Sequence, residues 1–176
     1  MAERVVGSRR VFDGRVISLR VDEVALRSGR TATREIVEHR GAVAVVPLIA
    51  EGDVILVRQY RGATGGTLLE IPAGTLEKGE DVEHALQREL AEEIGMRAGR
   101  VQHLASFYPS PGFLTEIVNV YLATDLTPHR LEAEEEDLEV LRLPLREARA
   151  MVDRGEIRDA KSIIGLLLAG DVIEGA

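Results

Sequence analysis

The stretch GTLEKGEDVEHALQRELAEEIGM, residues 74–96, decides how the rest of the chain is read. Wound as a helix over residues 80–94 at about 100° per residue, it brings Val82, Ala85 and Leu86 into an apolar stripe. Glu89 and Glu93 fall inside the same stripe, where a core face should be. Burying unpaired carboxylates costs several kcal/mol each, and two of them one turn apart also repel. The arrangement is tolerable beside a bound cation or a wet cleft. Glu92 lies on the flank of the pair and Glu80 precedes the helix, so the pattern predicts four carboxylates on one edge. Such a hard-oxygen set suits Mg²⁺ or Mn²⁺ rather than a soft metal. The alternative, a solvated acidic helix with pairs such as Arg88 to Glu92, does not explain acids set among apolar residues.

Outward from this helix, composition bounds the class. The chain has 176 residues, 45% hydrophobic and 30% charged, enough for one domain with a sizeable core and a small appended element. A net charge of -8 argues against a binder of the nucleic-acid backbone, which needs excess Lys and Arg. Without cysteine there is no disulfide, zinc-thiolate or thiol-nucleophile chemistry. The longest nearly apolar run, residues 41–50, is too short to span a bilayer, and MAERVVGSRR lacks the apolar core of a signal peptide. A cytoplasmic protein is the expectation.

Upstream, residues 1–40 form a β-rich lead-in, with short strands expected at 4–6, 16–19, 21–26 and 33–38 and turns at Asp13-Gly14 and Ser28-Gly29. Since a hairpin is rarely stable alone, this segment should pack on the main domain, residues 41–176, or on a second subunit. Residues 42–49 read as a strand buried on both faces, and residues 54–61 as its partner across a Glu51-Gly52-Asp53 turn. Arg61 then precedes a glycine-rich loop at residues 62–66 that could approach a phosphate. A short strand at 68–71 leads through Pro72-Ala73 to Gly74, where the lack of a Cβ lets the backbone come close to the helix acids. Glu80 and Asp81 place acids at the helix start, and Gly95 ends it.

Downstream, strands are expected at 101–108 and 118–123, joined by the stiff loop Pro109-Ser110-Pro111-Gly112-Phe113, with Glu116 just after it. The acidic run at 132–137 precedes a strand at 139–143, and helices follow at 145–154 and 159–169, the second capped by Asp159. The histidines at 39, 84, 103 and 129 show no metal-ligand spacing.

Gly74, Glu80, Arg88-Glu89-Leu90-Ala91-Glu92-Glu93 and Gly95-Met96 reproduce the Nudix box, Gly-x5-Glu-x7-Arg-Glu-U-x-Glu-Glu-x-Gly-U with U apolar, at every defined position. Within that superfamily the chain resembles the ADP-ribose pyrophosphatases. Their marker proline stands sixteen residues after the box glycine, here Pro111 in Ser-Pro-Gly-Phe. Arg34-Glu35-Ile36-Val37-Glu38-His39, Val57-Arg58-Gln59-Tyr60-Arg61 and Glu70-Ile71-Pro72-Ala73-Gly74 resemble their framework.

The resemblance implies an α+β fold, a mixed sheet sandwiched between helices with the β-rich lead-in attached. It implies Mg²⁺-dependent hydrolysis of ADP-ribose, or of a related ADP-sugar, to AMP and a sugar phosphate. Glu89 and Glu93 would be the central metal ligands, with the Ala73 carbonyl and with Glu92 and Glu77 nearby. Gly74, Glu80, Arg88 and Gly95 would be structural, Arg88 orienting carboxylates through paired hydrogen bonds. The proton acceptor would lie among residues 134–137, with Glu134 or Glu136 favoured by spacing from Leu138. Arg61 would pair with a phosphate, Glu116 with a ribose hydroxyl, and Pro111 and Gly112 would border the substrate. Val16, Arg34 and Glu35 would contact adenine across a homodimer that exchanges N-terminal strands. The competing class is a Nudix module that senses such ligands without cleaving them. Modules of that kind commonly lose box acids, which this sequence retains. Another nucleotide-sugar or dinucleotide substrate is the neighbouring alternative.

Overall fold

The structure, a computed structural model, describes residues 3–49, 52–131 and 138–175, with the side chain of Glu174 excluded. Contacts divide the chain into two compact units, Met1–Gly41 with Phe107–Ile117, and Ala42–Ser106 with Val118–Ala176.

The first unit is an antiparallel meander of β1 (Arg4–Asp13), β2 (Ile17–Ala25) and β3 (Thr31–His39). Its turns fall where glycine was expected, and Gly29 takes a φ of 81° that side-chain-bearing residues rarely adopt. β1 runs well past the three residues read as strand, because Ser8, Arg9 and Arg10 hide an edge strand that is exposed along almost its whole length. Charge, not grease, ties this sheet together. Arg20 pairs with Glu38 at 3.1 Å and Asp22 at 3.1 Å, Arg10 with Glu38 at 2.8 Å, and Ser8 donates to Asp22 at 2.6 Å. The segment around Phe113 belongs here too. Val37 N–H donates to the Phe113 carbonyl at 2.7 Å and Thr115 N–H to the Val37 carbonyl at 3.0 Å, adding one parallel bridge to the edge of β3.

In the second unit, β4 (Ala42–Pro47) is wholly buried, as its unbroken apolar run required. It pairs antiparallel with β7 (Ala73–Thr75) and parallel with β9 (Val118–Pro128), which is flanked by β8 (Met96–Phe107). The expected pairing of β4 with β5 (Asp53–Arg61) is wrong: among the described residues an isolated Leu48–Val54 bridge, with the Ile49 N–H on the Asp53 carbonyl at 2.9 Å, takes its place. A strand has two edges, and β7 and β9 occupy both edges of β4. β5 instead centres a second sheet between β6 (Gly66–Glu70) and β10 (Glu139–Pro144). The three-residue strand β7 went unread, since a glycine-centred segment that short carries no alternation to detect.

Helices cover both faces of β4. Val43 and Val45 pack with Ala85, Leu86 and Leu90 of α1 (Val82–Glu93), whereas Val46 reaches α3 (Ala160–Glu174) at Gly165. A Cβ on Gly165 would lie 3.0 Å from both Val46 and Ile71, so the glycine lets α3 approach the sheet. α2 (Leu145–Asp153) packs against α3, and Gly170 makes room for Arg149. That packing explains why α3 continues past the expected stop at 169. The result is the anticipated mixed sheet between helices.

Candidate active site

The site begins with the caps of α1. The Asp81 carboxylate accepts the backbone N–H groups of Glu83 at 2.9 Å and His84 at 3.3 Å, satisfying donors the helix start leaves open. Gly95, at φ 68°, ends the helix. Between these caps, Glu89 is buried on the same face as Ala85, Leu86 and Leu90, as the stripe predicted.

Glu89 lies against the backbone of β7. A Cβ on Gly74 would sit 1.8 Å from its Oε1, so no residue but glycine fits there without displacing the carboxylate. One turn further, Glu93 Oε2 accepts the Ala73 N–H at 3.0 Å. The two stripe acids therefore engage two consecutive residues of one strand.

Arg88 binds the remaining box acids. Its Nε and Nη2 donate to the two oxygens of Glu80, each at 3.0 Å, and its Nη1 donates to Glu89 at 2.7 Å and Glu92 at 3.1 Å. Glu80 also accepts the Glu77 N–H at 2.8 Å. The Arg88 guanidinium, with help from that N–H and from His84, overrides the burial penalty and holds the Glu80 carboxyl down to about 2. The same contacts push the Arg88 pKa up. This arrangement refines the expected four-acid edge: Glu80, Glu89 and Glu92 converge on Arg88, not on one another, and Glu80 is fully committed to holding the loop and helix together.

Among the described residues, no group of three or more acidic or imidazole side chains is arranged to hold a metal ion by itself. The donor set nevertheless fits a small hard cation. Mg²⁺ typically takes one or two carboxylates and completes its shell with water and substrate phosphate oxygens. Here one guanidinium faces Glu80, Glu89 and Glu92, with Glu93 beside them on the helix. The local charge is therefore negative, and the missing Cβ of Gly74 is what leaves room for the Glu89 carboxylate against the backbone.

The other expected residues are scattered over the two units. Glu77 is exposed on the loop before α1, and Glu134 and Glu136 lie outside the described residues. Arg61 directs its fork at Glu70, Nε to Oε1 at 3.0 Å and Nη2 to Oε2 at 2.6 Å. In the other unit, Arg34 pairs with Glu3, Glu35 is exposed opposite Val21, and Val16 is exposed before β2. Pro111 and Gly112 are exposed in a turn closed by the Leu114 N–H on the Ser110 carbonyl at 3.0 Å. Glu116 lies 3.5 Å from His39 Nδ1, a nitrogen that accepts the Gly41 N–H at 3.1 Å.

Sequence reasoning passed over Glu70 itself. It is 1% exposed at the end of β6, and Lys161 Nζ donates to it at 2.6 Å alongside Arg61. Burial opposes its charge, but the two cations together hold its pKa below the ordinary glutamate value. The signal was available, because Glu70 interrupts an apolar run just as Glu89 does.

Comparison with known proteins accords with this geometry. The NUDIX domain model matches residues 38–164, and the nucleoside diphosphate sugar hydrolase N-terminal domain model matches residues 3–37. The chain is 42% identical over 165 residues to an ADP-ribose pyrophosphatase of Bacillus subtilis, covering 92% of this chain and 89% of that protein. It is 40% identical over 167 residues to a methanol dehydrogenase activator of Bacillus methanolicus, covering 93% and 90% respectively. A crystal structure of an ADP compounds hydrolase superposes with a TM-score of 0.88 at 25% identity, spanning 99% of this chain and 96% of the other. With its box helix complete and its fold and sequence matched along nearly their whole length, the chain belongs to the Nudix hydrolase family.

Proposed function

We propose that the protein hydrolyses the diphosphate of ADP-ribose, giving AMP and ribose 5-phosphate. The observation that carries this reading is the seating of Glu89 and Glu93 on Ala73 and Gly74, which fixes two carboxylates beside main-chain groups in a locally negative site. The name of the B. subtilis relative supports ADP-ribose as the substrate.

In this reading Glu89, Glu92 and Glu93, with Glu77 and the Ala73 carbonyl, hold Mg²⁺ or a similar divalent ion. When bound, such an ion supplies charge neutralisation at the diphosphate and a lower pKa for the attacking water. Arg88 orients Glu89 and Glu92, while Glu93 is oriented through the Ala73 N–H. Glu134 or Glu136 accepts the proton as the water oxygen joins one phosphorus and the bridging P–O bond breaks. Arg61 offers charge to a phosphate. Glu116, Pro111 and Gly112 border the ribose, and Val16, Arg34 and Glu35 border the adenine. We further infer a cytoplasmic homodimer with exchanged N-terminal strands. Its support is the row of exposed apolar side chains Val5, Val6, Val11 and Phe12 on β1, with Val16 and Ile17 following.

The test is incubation with ADP-ribose and Mg²⁺, with AMP and ribose 5-phosphate separated by chromatography. Equimolar release of both products is expected. Binding of ADP-ribose without turnover would overturn hydrolysis in favour of ligand sensing.

A further inference from the structure

A polar knot joins the end of β3 to the segment after Pro111, both within the N-terminal unit. Thr115 is pinned to β3 three times. Its backbone N–H donates to the Val37 carbonyl at 3.0 Å, its hydroxyl oxygen accepts the His39 N–H at 3.0 Å, and the same hydroxyl donates to the His39 carbonyl at 3.4 Å. Glu116 follows directly in the chain, so these bonds fix the point from which its side chain departs.

The His39 imidazole then decides what Glu116 meets. Its side chain is 9% exposed, and its Nδ1 accepts the N–H of Gly41, a residue at φ 96°, at 3.1 Å. That bond requires an Nδ1 without a proton, which assigns the neutral ring its hydrogen at Nε2. Glu116 Oε1 lies 3.5 Å from the same Nδ1. Two acceptors thus face each other with no proton between them, and the Glu116 carboxylate, 21% exposed, keeps its capacity for another donor. A protonated ring reverses both contacts: Nδ1–H is offered to Glu116, and the Gly41 N–H loses its acceptor. The two partners of Nδ1 exclude each other.

The neighbouring charges stay constant while an imidazole titrates. Ile17, opposite His39 on β2, carries no charge; Arg40 donates to the Arg15 carbonyl at 3.1 Å, and both are guanidiniums that remain protonated. Glu38 is occupied by Arg10 and Arg20. Imidazole is the side chain that ordinarily changes charge between about pH 5 and 8.

We propose that His39 is a positioning residue for ribose recognition: its neutral ring holds the Gly41 turn and leaves Glu116 to accept a ribose hydroxyl, and its protonated ring takes Glu116 away. This rests on the reading of Glu116 as the ribose contact. It makes substrate binding, and not the chemical step, the part that acid weakens.

The test is metal-free calorimetric titration of wild type and His39→Asn with ADP-ribose from about pH 8 to about pH 5.5, a range in which the ligand keeps its charge and an imidazole does not. Asparagine offers the Gly41 N–H the acceptor of an Asx turn but takes no proton. Wild-type affinity should fall about tenfold over this range, the worth of one hydrogen bond to a charged group, with KM rising in parallel and kcat not following it. In His39→Asn the fall should shrink to about twofold or less. The Gly41 amide proton of wild type should move upfield along the same pH curve as its bond to Nδ1 breaks, a readout that needs no variant. An equal fall in folded His39→Asn, a wild-type affinity flat with pH, or a Gly41 resonance that ignores pH overturns the proposal. Absent hydrolysis with the pH-dependent binding intact overturns the assigned activity alone, whereas failure of wild type to bind ADP-ribose overturns both.

Discussion

The two part-buried charge networks of the Nudix unit differ in their balance. Around Arg88, three carboxylates meet one guanidinium; around Glu70, the cations Arg61 and Lys161 meet two carboxylates, since Lys161 also pairs with Asp159 at 2.8 Å. A network balanced within itself needs nothing more, as Arg61 and Lys161 against Glu70 and Asp159 illustrate. The unbalanced network around Arg88 carries a negative field. Negative excess suits a divalent cation, whereas the balanced network holds the first turn of α3 to β6.

The sharpest way to break this contrast is to remove charge from the negative side without changing shape. Glu93→Gln should lower kcat by about 1000-fold or more while the circular dichroism spectrum and melting temperature stay close to wild type. Retained turnover would strip Glu93 of its role. Next in size is Arg88→Met, which leaves Glu80, Glu89 and Glu92 facing one another. Denaturant titration should show a loss of about 2–4 kcal/mol, and added Mg²⁺ should recover part of it by neutralising the same acids.

A geometric version of the contrast uses two glycines. Gly74→Ala would drive a methyl into Glu89 and should destabilise by about 1–3 kcal/mol with loss of activity. Gly62→Ala, where a Cβ meets nothing within 4 Å, should fall within about 0.5 kcal/mol of wild type. The smallest effect concerns pH. Glu80 is held at about 2 against an ordinary value of 4.5, so its pairing stabilises the fold fully above about pH 4.5 and that contribution drains away as pH falls toward 2. Glu80→Gln should therefore show a shallower acid branch between those limits when unfolding is followed against pH.

The helix acids, the caps at Asp81, Gly95 and Asp159, and the double-sided burial of β4 were all legible in the sequence, because each depends on neighbours within a turn or a strand. The parting of β4 and β5 into separate sheets was not. It depends on β7 and β9 reaching β4 first, and competition for a strand edge leaves no trace in either strand's own pattern. Glu70 shows the intermediate case: its oddness was visible in the run Leu68-Leu69-Glu70-Ile71, but its partner Lys161 lies 91 residues away. The Arg88 hub was anticipated as orienting pairs, yet not as the point where three acids meet.

The grafting of the Phe113 segment onto β3 constrains how this protein can be cut. Deleting the first forty residues would not merely shorten the chain. It would leave the Val37 partners at Phe113 and Thr115 with main-chain donors and acceptors exposed and the Pro111 loop without its rail. The leader and that loop are therefore heritable only as a pair, and transplanting the loop into another scaffold would require bringing β3 along with it.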